Sequence, residues 1–400
     1  MGNTPNIRFK GFTDDWEQRK WIDTVDISTE MVDPTTGEYD DMPHIAPGNI
    51  EPFTGRILDN VKTVKEEQLI SGKFRFRPND VVYGKINPQL GKYFYASIDG
   101  LTSADAYVFN GKNGITQKFL YSVLQTKDFF KYSISVSKRS GMPKINRDEL
   151  NAYSFCVPKE EEQEKIGDFL LGIDNLITLH QRKCDETKKL KKFMLQKMFP
   201  KKDANKPEIR FAGFTDDWEQ RKLNEVAEFN PKSELPDEFE YVDLESVVGT
   251  EMISHRTETK DSAPSRAQRL AQPGDVFFQT VRPYQKNNYL FSKLDNNYVF
   301  STGYAQMRPN IDTAFLMSFL QTDSFVKIVL DNCTGTSYPA INSNDLSNLE
   351  ISLPKSFEEQ KKVGKTIISI DNLITLHQRK CDELKEFKKY MLQNMFPQKG

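Results

Sequence analysis

The sequence predicts an α+β chain built twice: two mixed globules, each followed by a long α-helix, with the two helices forming an antiparallel coiled coil about a pseudo-two-fold axis. Three observations predict it. The stretch Ile173-Asp174-Asn175-Leu176-Ile177-Thr178-Leu179-His180-Gln181-Arg182-Lys183-Cys184-Asp185-Glu186 returns unchanged as Ile370 to Glu383. The block Pro5 to Lys20 returns as Pro207 to Lys222 with two substitutions. Between these shared blocks the halves diverge but keep the same order of turn, strand and helix signals.

The helices come from periodicity. Steps of three and four give Ile166, Phe169, Ile173, Leu176, His180, Lys183, Thr187, Leu190 and Met194, with Leu170, Ile177 and Cys184 widening the stripe. That is a heptad seam with a polar centre. The second copy reads Val363, Thr366, Ile370, Leu373, His377, Lys380, Leu384, Phe387 and Met391, and no Pro or Gly falls between Thr366 and Phe396. A helix over 160–198 would be roughly 55–60 Å long at 1.5 Å per residue, several times an ordinary globular helix. Each copy starts acidic (Glu160, Glu161, Glu162; Glu358, Glu359) and ends basic (Lys188, Lys189, Lys191, Lys192; Lys385, Lys388, Lys389). This suits each macrodipole and brings opposite charges together when the copies run antiparallel. Two separate surface helices, alike only through recent duplication, would leave the shared periodicity unexplained. His180 and His377 could ligate a metal, but polar residues in such a seam more often fix register, and that is the reading adopted.

In the globules, the aromatic residues Phe9, Phe12 and Trp16, with Phe211, Phe214 and Trp218, sit between charges and are expected to anchor each half against its helix. Arg77 to Tyr83 parallels Gln272 to Phe278, each a turn followed by a β-rich run. Phe119 to Thr126 parallels Phe315 to Thr322, with the spacing of a short buried helix. Pro143-Lys144-Ile145-Asn146 parallels Pro339-Ala340-Ile341-Asn342, each followed by an apolar strand that ends at Pro158 or Pro354. The expected divisions are a globule over 1–156, a helix over 157–200, a linker over 201–206, a second globule over 207–352 and a second helix over 353–400.

With 37% apolar and 12% aromatic residues, the chain has enough to pack cores rather than remain disordered. No apolar run approaches the ~20 residues of a membrane span, and Met1-Gly2-Asn3-Thr4-Pro5 lacks a signal-peptide layout, so a cytoplasmic protein is expected. The four cysteines show no CxxC spacing, which points to neither a disulfide framework nor a zinc site. A formal charge of −2 means that any nucleic-acid surface must be local or shared with a partner.

The order of features is a variable α+β globule, a turn that carries Gly and ends in Pro-x-Ile-Asn, a Pro followed by Glu162-Gln163 or Glu359-Gln360, and a long helix carrying Ile-Asp-x-Leu-Ile, all of it twice. This resembles the DNA-specificity subunit of type I restriction-modification systems across essentially the whole chain. The resemblance implies two target recognition domains, each reading one half of a bipartite site on double-stranded DNA. It also implies helices that act as a spacer and as a docking surface for two methyltransferase subunits, with restriction subunits joining later. S-adenosylmethionine, and ATP and Mg for restriction, would belong to those partners. The tandem geometry agrees, since two halves about a pseudo-two-fold axis let one chain imitate a symmetric dimer. Readers about one helical turn apart, on the order of 34 Å, would meet one face of the duplex. Because the globules differ, the site is expected to be asymmetric and interrupted.

No catalytic motif of the chain's own is visible. A glycine-rich cofactor turn, an Asn/Asp-Pro-Pro-aromatic motif, GxGxxG and Walker A patterns are all missing from the sequence. Pro236-Asp237 with Glu258-Thr259-Lys260 has the order of a nuclease metal site, but it is short enough to arise by chance. For reading bases, Arg or Lys suits guanine and Asn or Gln suits adenine. The candidates in the first half are Lys73, Arg75, Arg77, Lys85, Asn87, Lys138, Arg139 and Lys144. Those in the second are Arg266, Arg269, Arg282, Gln285, Lys286, Asn287, Asn288 and Tyr338. The competing reading is that alternating charges such as Lys73-Phe74-Arg75-Phe76-Arg77 form only the solvated face of a strand.

Overall fold

The computed structural model describes residues 4–138, 141–201, 204–295, 297–335 and 337–397. The chain divides into two compact units that do not coincide with the sequence halves. The first joins residues 1–181 to 379–400, and the second is residues 182–378. The long helices run Glu160–Lys197 and Phe357–Asn394, so each gives its first part to one unit and its last part to the other.

In the first unit, Glu17–Lys20 pairs antiparallel with Ser154–Val157. A four-stranded antiparallel sheet follows the order Val25–Ile27, Ala106–Gly111, Val81–Gly84, Tyr93–Tyr95 among the described residues. Strand side chains alternate between faces. Val81 and Tyr83 therefore join a core with Phe119, Leu120 and Phe129 of the helices Gln117–Leu124 and Lys127–Ser137, and with Ile166 and Leu170 of the long helix. Val82, on the opposite face, joins Phe76, Phe94 and Val108 against a second sheet. With both faces covered, the strand reads as a continuous apolar run, as fully buried strands do.

The second unit repeats this frame. Glu219–Lys222 pairs with Glu350–Leu353, and a sheet runs Ala227–Phe229, Tyr304–Pro309, Val276–Gln279, Tyr289–Leu290. The covering sheets differ. The first unit has five strands, in the order Met31–Val32, Lys73–Phe76, Gly100–Thr102, Pro43–His44, Lys62–Thr63. The second has four, Arg256–Thr259, Glu238–Val242, Tyr298–Ser301, Ala267–Leu270, with the middle pair parallel.

Glu162-Gln163 and Glu359-Gln360 lock the start of each long helix to its globule. Glu162 takes a two-pronged ion pair from Arg8 (2.7 and 2.9 Å), and Gln163 accepts from the Thr116 N–H while donating to the carbonyls of Gly114 and Pro158. Glu359 takes Arg210 (2.7 and 2.8 Å) and also the Trp218 indole N–H at 3.2 Å, and Gln360 accepts from the Asp312 N–H. One turn on, a β-carbon on Gly167 would lie 2.5 Å from Lys118 Cβ, and one on Gly364 would lie 2.4 Å from the Phe315 nitrogen. Only glycine lets the helices approach this closely.

The repeated aromatic block docks as expected, and it also reaches a second element. Phe9 meets Phe169 edge-on at 5.9 Å. Trp16, 1% exposed, lies 5.9 Å from Phe396, just past the end of the other long helix. Trp218 likewise meets Phe199 at 6.0 Å. The Ile7 N–H donates to the Asn394 carbonyl and the Ile209 N–H to the Lys197 carbonyl, both at 2.8 Å.

Within each unit the long-helix segments run antiparallel. In the first, Cys381 approaches the Ile177 carbonyl and Lys388 pairs with Asp174; in the second, Cys184 approaches the Ile374 carbonyl and Lys191 pairs with Asp371 at 2.5 Å. The seam is rotated from the expected one. Ile166, Ile173, Val363 and Ile370 are buried, and the buried line continues through Leu170, Ile177 and Cys184, which the expected stripe included only as its widened edge, and through their counterparts Ile367 and Cys381. Leu176, Leu190, Leu373 and Phe387 are 46% to 48% exposed. Phe169, His180, His377 and Leu384 are half-buried, and Phe169 still meets the edge of Phe387 at 6.2 Å. The physical reason is the ion pairs. Asp174 and Lys388 neutralise each other and so occupy seam positions that apolarity alone would assign to leucine.

Candidate nucleic-acid interface

In both units the central strand ends in a tight proline turn that is held against the Pro-x-Ile-Asn segment, Pro143 to Asn146 or Pro339 to Asn342. In the first, the Asn87 N–H donates to the Pro143 carbonyl (2.8 Å), the Ile145 N–H to the Lys85 carbonyl (3.1 Å), and Ile86 bridges Lys144. In the second, the Arg282 N–H donates to the Pro339 carbonyl (2.8 Å), the Ile341 N–H to the Thr280 carbonyl (3.0 Å), and Val281 bridges Ala340. Each turn begins and ends left-handed, with φ of 50° at Asn87 and 54° at Gly91, and 54° at Arg282 and 56° at Lys286. Asn tolerates this region, but a long side chain rarely enters it, and a residue before proline is normally extended. Such an outlier costs on the order of 1–3 kcal/mol and persists where the surroundings over-determine it. Here they do: the Lys286 ammonium donates to the Gln321 carbonyl (2.8 Å) and pairs with Asp323, while Gln321 donates back to the Lys286 carbonyl.

The sequence candidates separate into those already engaged and those presented to solvent. Lys73 is buried, donating to Ser71, and burial lowers its pKa. Arg75 is held by Asp99 and Arg77 by Glu30, each two-pronged. Arg269 is partly buried, and burial lowers its pKa as well. Asn288 is buried and accepts from the Gln279 N–H, Gln285 accepts from the Gln279 amide, and Asn287 accepts from the Gly249 N–H. Lys286 is tied down as described. Arg139 lies outside the described residues.

Those left at the surface gather around the turns. Lys85 lies over the Tyr107 ring at 5.3 Å, Asn87 flanks the turn, Lys144 is exposed, and Lys138 caps the Lys127–Ser137 helix. In the second unit the Arg282 guanidinium lies 4.5 Å over the ring of Tyr338, which is 64% exposed. Arg266 is exposed on its own strand approach. Three residues beside the turns were not anticipated. Arg147 donates to the carbonyls of Ile27 and Ser28 and lies over Tyr107, while Tyr284 and Met142 project into solvent. A large apolar residue in a turn flanked by Pro was the signal available for the last two.

Among the described residues, no group of three or more His, Cys, Asp or Glu side chains is placed to hold a metal ion. Glu258, of the nuclease-like pattern, is engaged by Arg256 and Ser262. No single helix among the described residues is long and apolar enough to cross a membrane.

A family model for the type I restriction modification DNA specificity domain matches residues 13–189 and 215–386. The MjaVIII type I restriction enzyme specificity subunit of Methanocaldococcus jannaschii is 25% identical over 336 residues, covering 78% of this chain and 77% of that protein. The putative MjaX specificity subunit of the same organism is 24% identical over 95% of this chain and 92% of its own length. The EcoDI specificity subunit of Escherichia coli is 30% identical over 161 residues, a local match in which the chain spans 35% of the relative. The crystal structure of the type I restriction-modification S subunit from M. genitalium superposes with a TM-score of 0.66 over 99% of this chain and all of that one, at 15% identity, a likeness of fold. With the family model covering most of both halves, the chain belongs to the type I restriction-modification DNA specificity family.

Proposed function

We propose that the chain recognises an asymmetric bipartite site on double-stranded DNA and directs partner methyltransferase and restriction subunits to it, each globule reading one half-site. The observation that carries this reading is the pair of matching turns: one frame presents Lys85, Asn87 and Lys144 in one unit and Arg282, Tyr284 and Tyr338 in the other. Equivalent position with different chemistry is what two readers of two different half-sites require. The apolar side chains left outside the seam support partner docking. Leu176, Phe387 and Tyr390 in the first unit, and Leu190, Phe193, Leu373 and Leu376 in the second, are exposed large hydrophobics on the long helices. Such rows mark protein interaction sites. Two methyltransferase copies, one per unit, fit the repeat.

The chain itself is read as non-catalytic, with S-adenosylmethionine, and ATP and Mg for restriction, held by partner subunits, and as working in the cytoplasm where its DNA lies. The recognition globules are taken as 1–156 and 207–352. The test is to purify the chain alone and with its methyltransferase subunits, and to sequence modified adenines in incubated DNA. The chain alone is expected to leave DNA unmodified, and the complex to methylate one interrupted motif. Turnover of S-adenosylmethionine by the chain alone would contradict the reading.

A further inference from the structure

We propose that the left-handed residue opening each proline turn is a base reader: Arg282 recognises a guanine in the half-site of the second unit, and Asn87 an adenine in that of the first. The inference rests on the specificity reading above and names the residues and bases within it.

Three features single out Arg282. Its guanidinium has no carboxylate partner among the described residues, unlike Arg75, Arg77, Arg256 and Arg308, which are held by acids. It lies instead 4.5 Å over the exposed Tyr338 ring, which fixes the guanidinium without occupying its N–H edge. A phosphate contact needs charge but little orientation, whereas guanine is read by two parallel N–H donors on O6 and N7, and a stacked, planar fork is prepared for that. Finally, the backbone holds φ at 54° before Pro283, in a turn clamped at its far end by Lys286, Gln321 and Asp323. A conformation that arginine resists, held in a half-buried position beside the exposed Tyr284, indicates that the placement of this side chain matters.

The first unit carries the same construction with a different reader. Asn87 has φ of 50° before Pro88, and the same backbone bond to the Pro that opens its Pro-x-Ile-Asn segment, Pro143. The Gln89 amide donates to Asn87 Oδ1 at 3.2 Å, orienting the carboxamide so that its NH2 faces away. An oriented carboxamide offers one donor and one acceptor side by side, which matches adenine N7 and N6. Met142 stands where Tyr338 stands in the second unit and, like it, is exposed, at 67%.

The experiment uses the assembled complex of this chain with its methyltransferase subunits on a duplex library randomised across the motif, with modified adenines read by sequencing. Arg282→Gly is the first variant, because glycine accepts the left-handed backbone and removes only the side chain. It is expected to lower discrimination at one base pair of one half-site by roughly 10- to 100-fold and to leave the other half-site unchanged. Arg282→Asn is expected to shift the preference there from guanine to adenine, and Asn87→Arg to shift one position of the other half-site from adenine to guanine. Discrimination unchanged in Arg282→Gly, or methylation weakened uniformly across sequences, would overturn the inference, the second outcome marking a phosphate contact. If Arg282→Gly gave no methylation at all, Arg282→Asn would decide: a new base supports the inference, and the old motif overturns it. Absence of any discrete motif with the wild-type complex would overturn the specificity reading itself, a failure distinct from an unaltered motif in the variants.

Discussion

In both units the strand that leads into the proline turn lies inside a four-stranded sheet of the same order, yet the sheet beneath it has five strands in one unit and four in the other. The residues the units share are mainly those that hold the globule to the helices: Arg8 and Arg210, Glu162 and Glu359, Gln163 and Gln360, Gly167 and Gly364. Those that differ lie in the covering sheet and on the turns. Lys85 lies over the Tyr107 ring where the second unit has Thr280 bonded to the Gly303 carbonyl, and Asn87 stands where the second unit has Arg282. The division teaches which positions the frame needs and which are free to carry specificity.

The largest expected effect concerns the ion pairs across the helices. Asp174 and Lys388 are 7% and 8% exposed, whereas Asp371 and Lys191 are 13% and 16% exposed. Burial raises the pKa of Asp174, and the Lys388 amine only partly offsets this. Lys388→Met leaves a buried carboxylate without its cation and is expected to cost about 3–5 kcal/mol at neutral pH, with Lys191→Met costing less. A carboxyl whose folded pKa exceeds its unfolded value contributes stability that is fully present below the unfolded value and lost as pH rises through the folded one. Lys388→Met should therefore lag the wild type most at neutral pH and approach it toward about pH 4. Denaturant titrations at the two pH values check both the size and the sign; a deficit that grew on acidification would break the account.

A smaller difference is expected at the base of each long helix. Arg8→Ala leaves the buried Glu162 without its guanidinium, at a cost of about 2–3 kcal/mol. Arg210→Ala should cost about 1 kcal/mol less, because the Trp218 N–H still donates to Glu359, while the Trp16 indole N–H has no hydrogen-bond partner among the described residues. Hydrogen-exchange protection of Ala106–Gly111 against Tyr304–Pro309 reads each unit separately, and equal losses would mean that the indole bond contributes nothing.

The smallest effects distinguish one glycine from another. Gly167→Ala and Gly364→Ala place a β-carbon against a neighbouring helix and should destabilise by about 1–2 kcal/mol. Gly172 has nothing within 4 Å of such a carbon, so Gly172→Ala should stabilise by roughly 0.5–1 kcal/mol through helix propensity. Thermal melting that moved the same way in all three would deny the close approach.

Repetition made the frame legible. The identical stretch from Ile173 and the block around Trp16 announced two helices and two docked globules, and turn chemistry located the strands at Val81 and Val276. The seam was less legible, because counting apolar residues favours Leu176 over Asp174, and the partner that makes Asp174 tolerable lies 214 residues away. An acid between Ile173 and Ile177 on the same face, present in both copies, was the available signal. The candidate interface divided for the same reason: Arg75 and Arg77 look free in sequence, and only the fold brings Asp99 and Glu30 to them. The short helices Arg147–Asn151 and Ser343–Ser347 escaped notice because one turn carries no periodicity.

The central claim, that each unit reads its own half-site on a shared frame, is tested most directly by exchanging residues 21–153 for the corresponding segment of a relative with a different motif. This keeps Glu17–Lys20 and Ser154–Val157 in place. Sequencing of modified adenines from the exchanged complex should show one half-site replaced by the relative's, with the other half-site and the spacing between them unchanged. Both half-sites changing together, or neither, would contradict it.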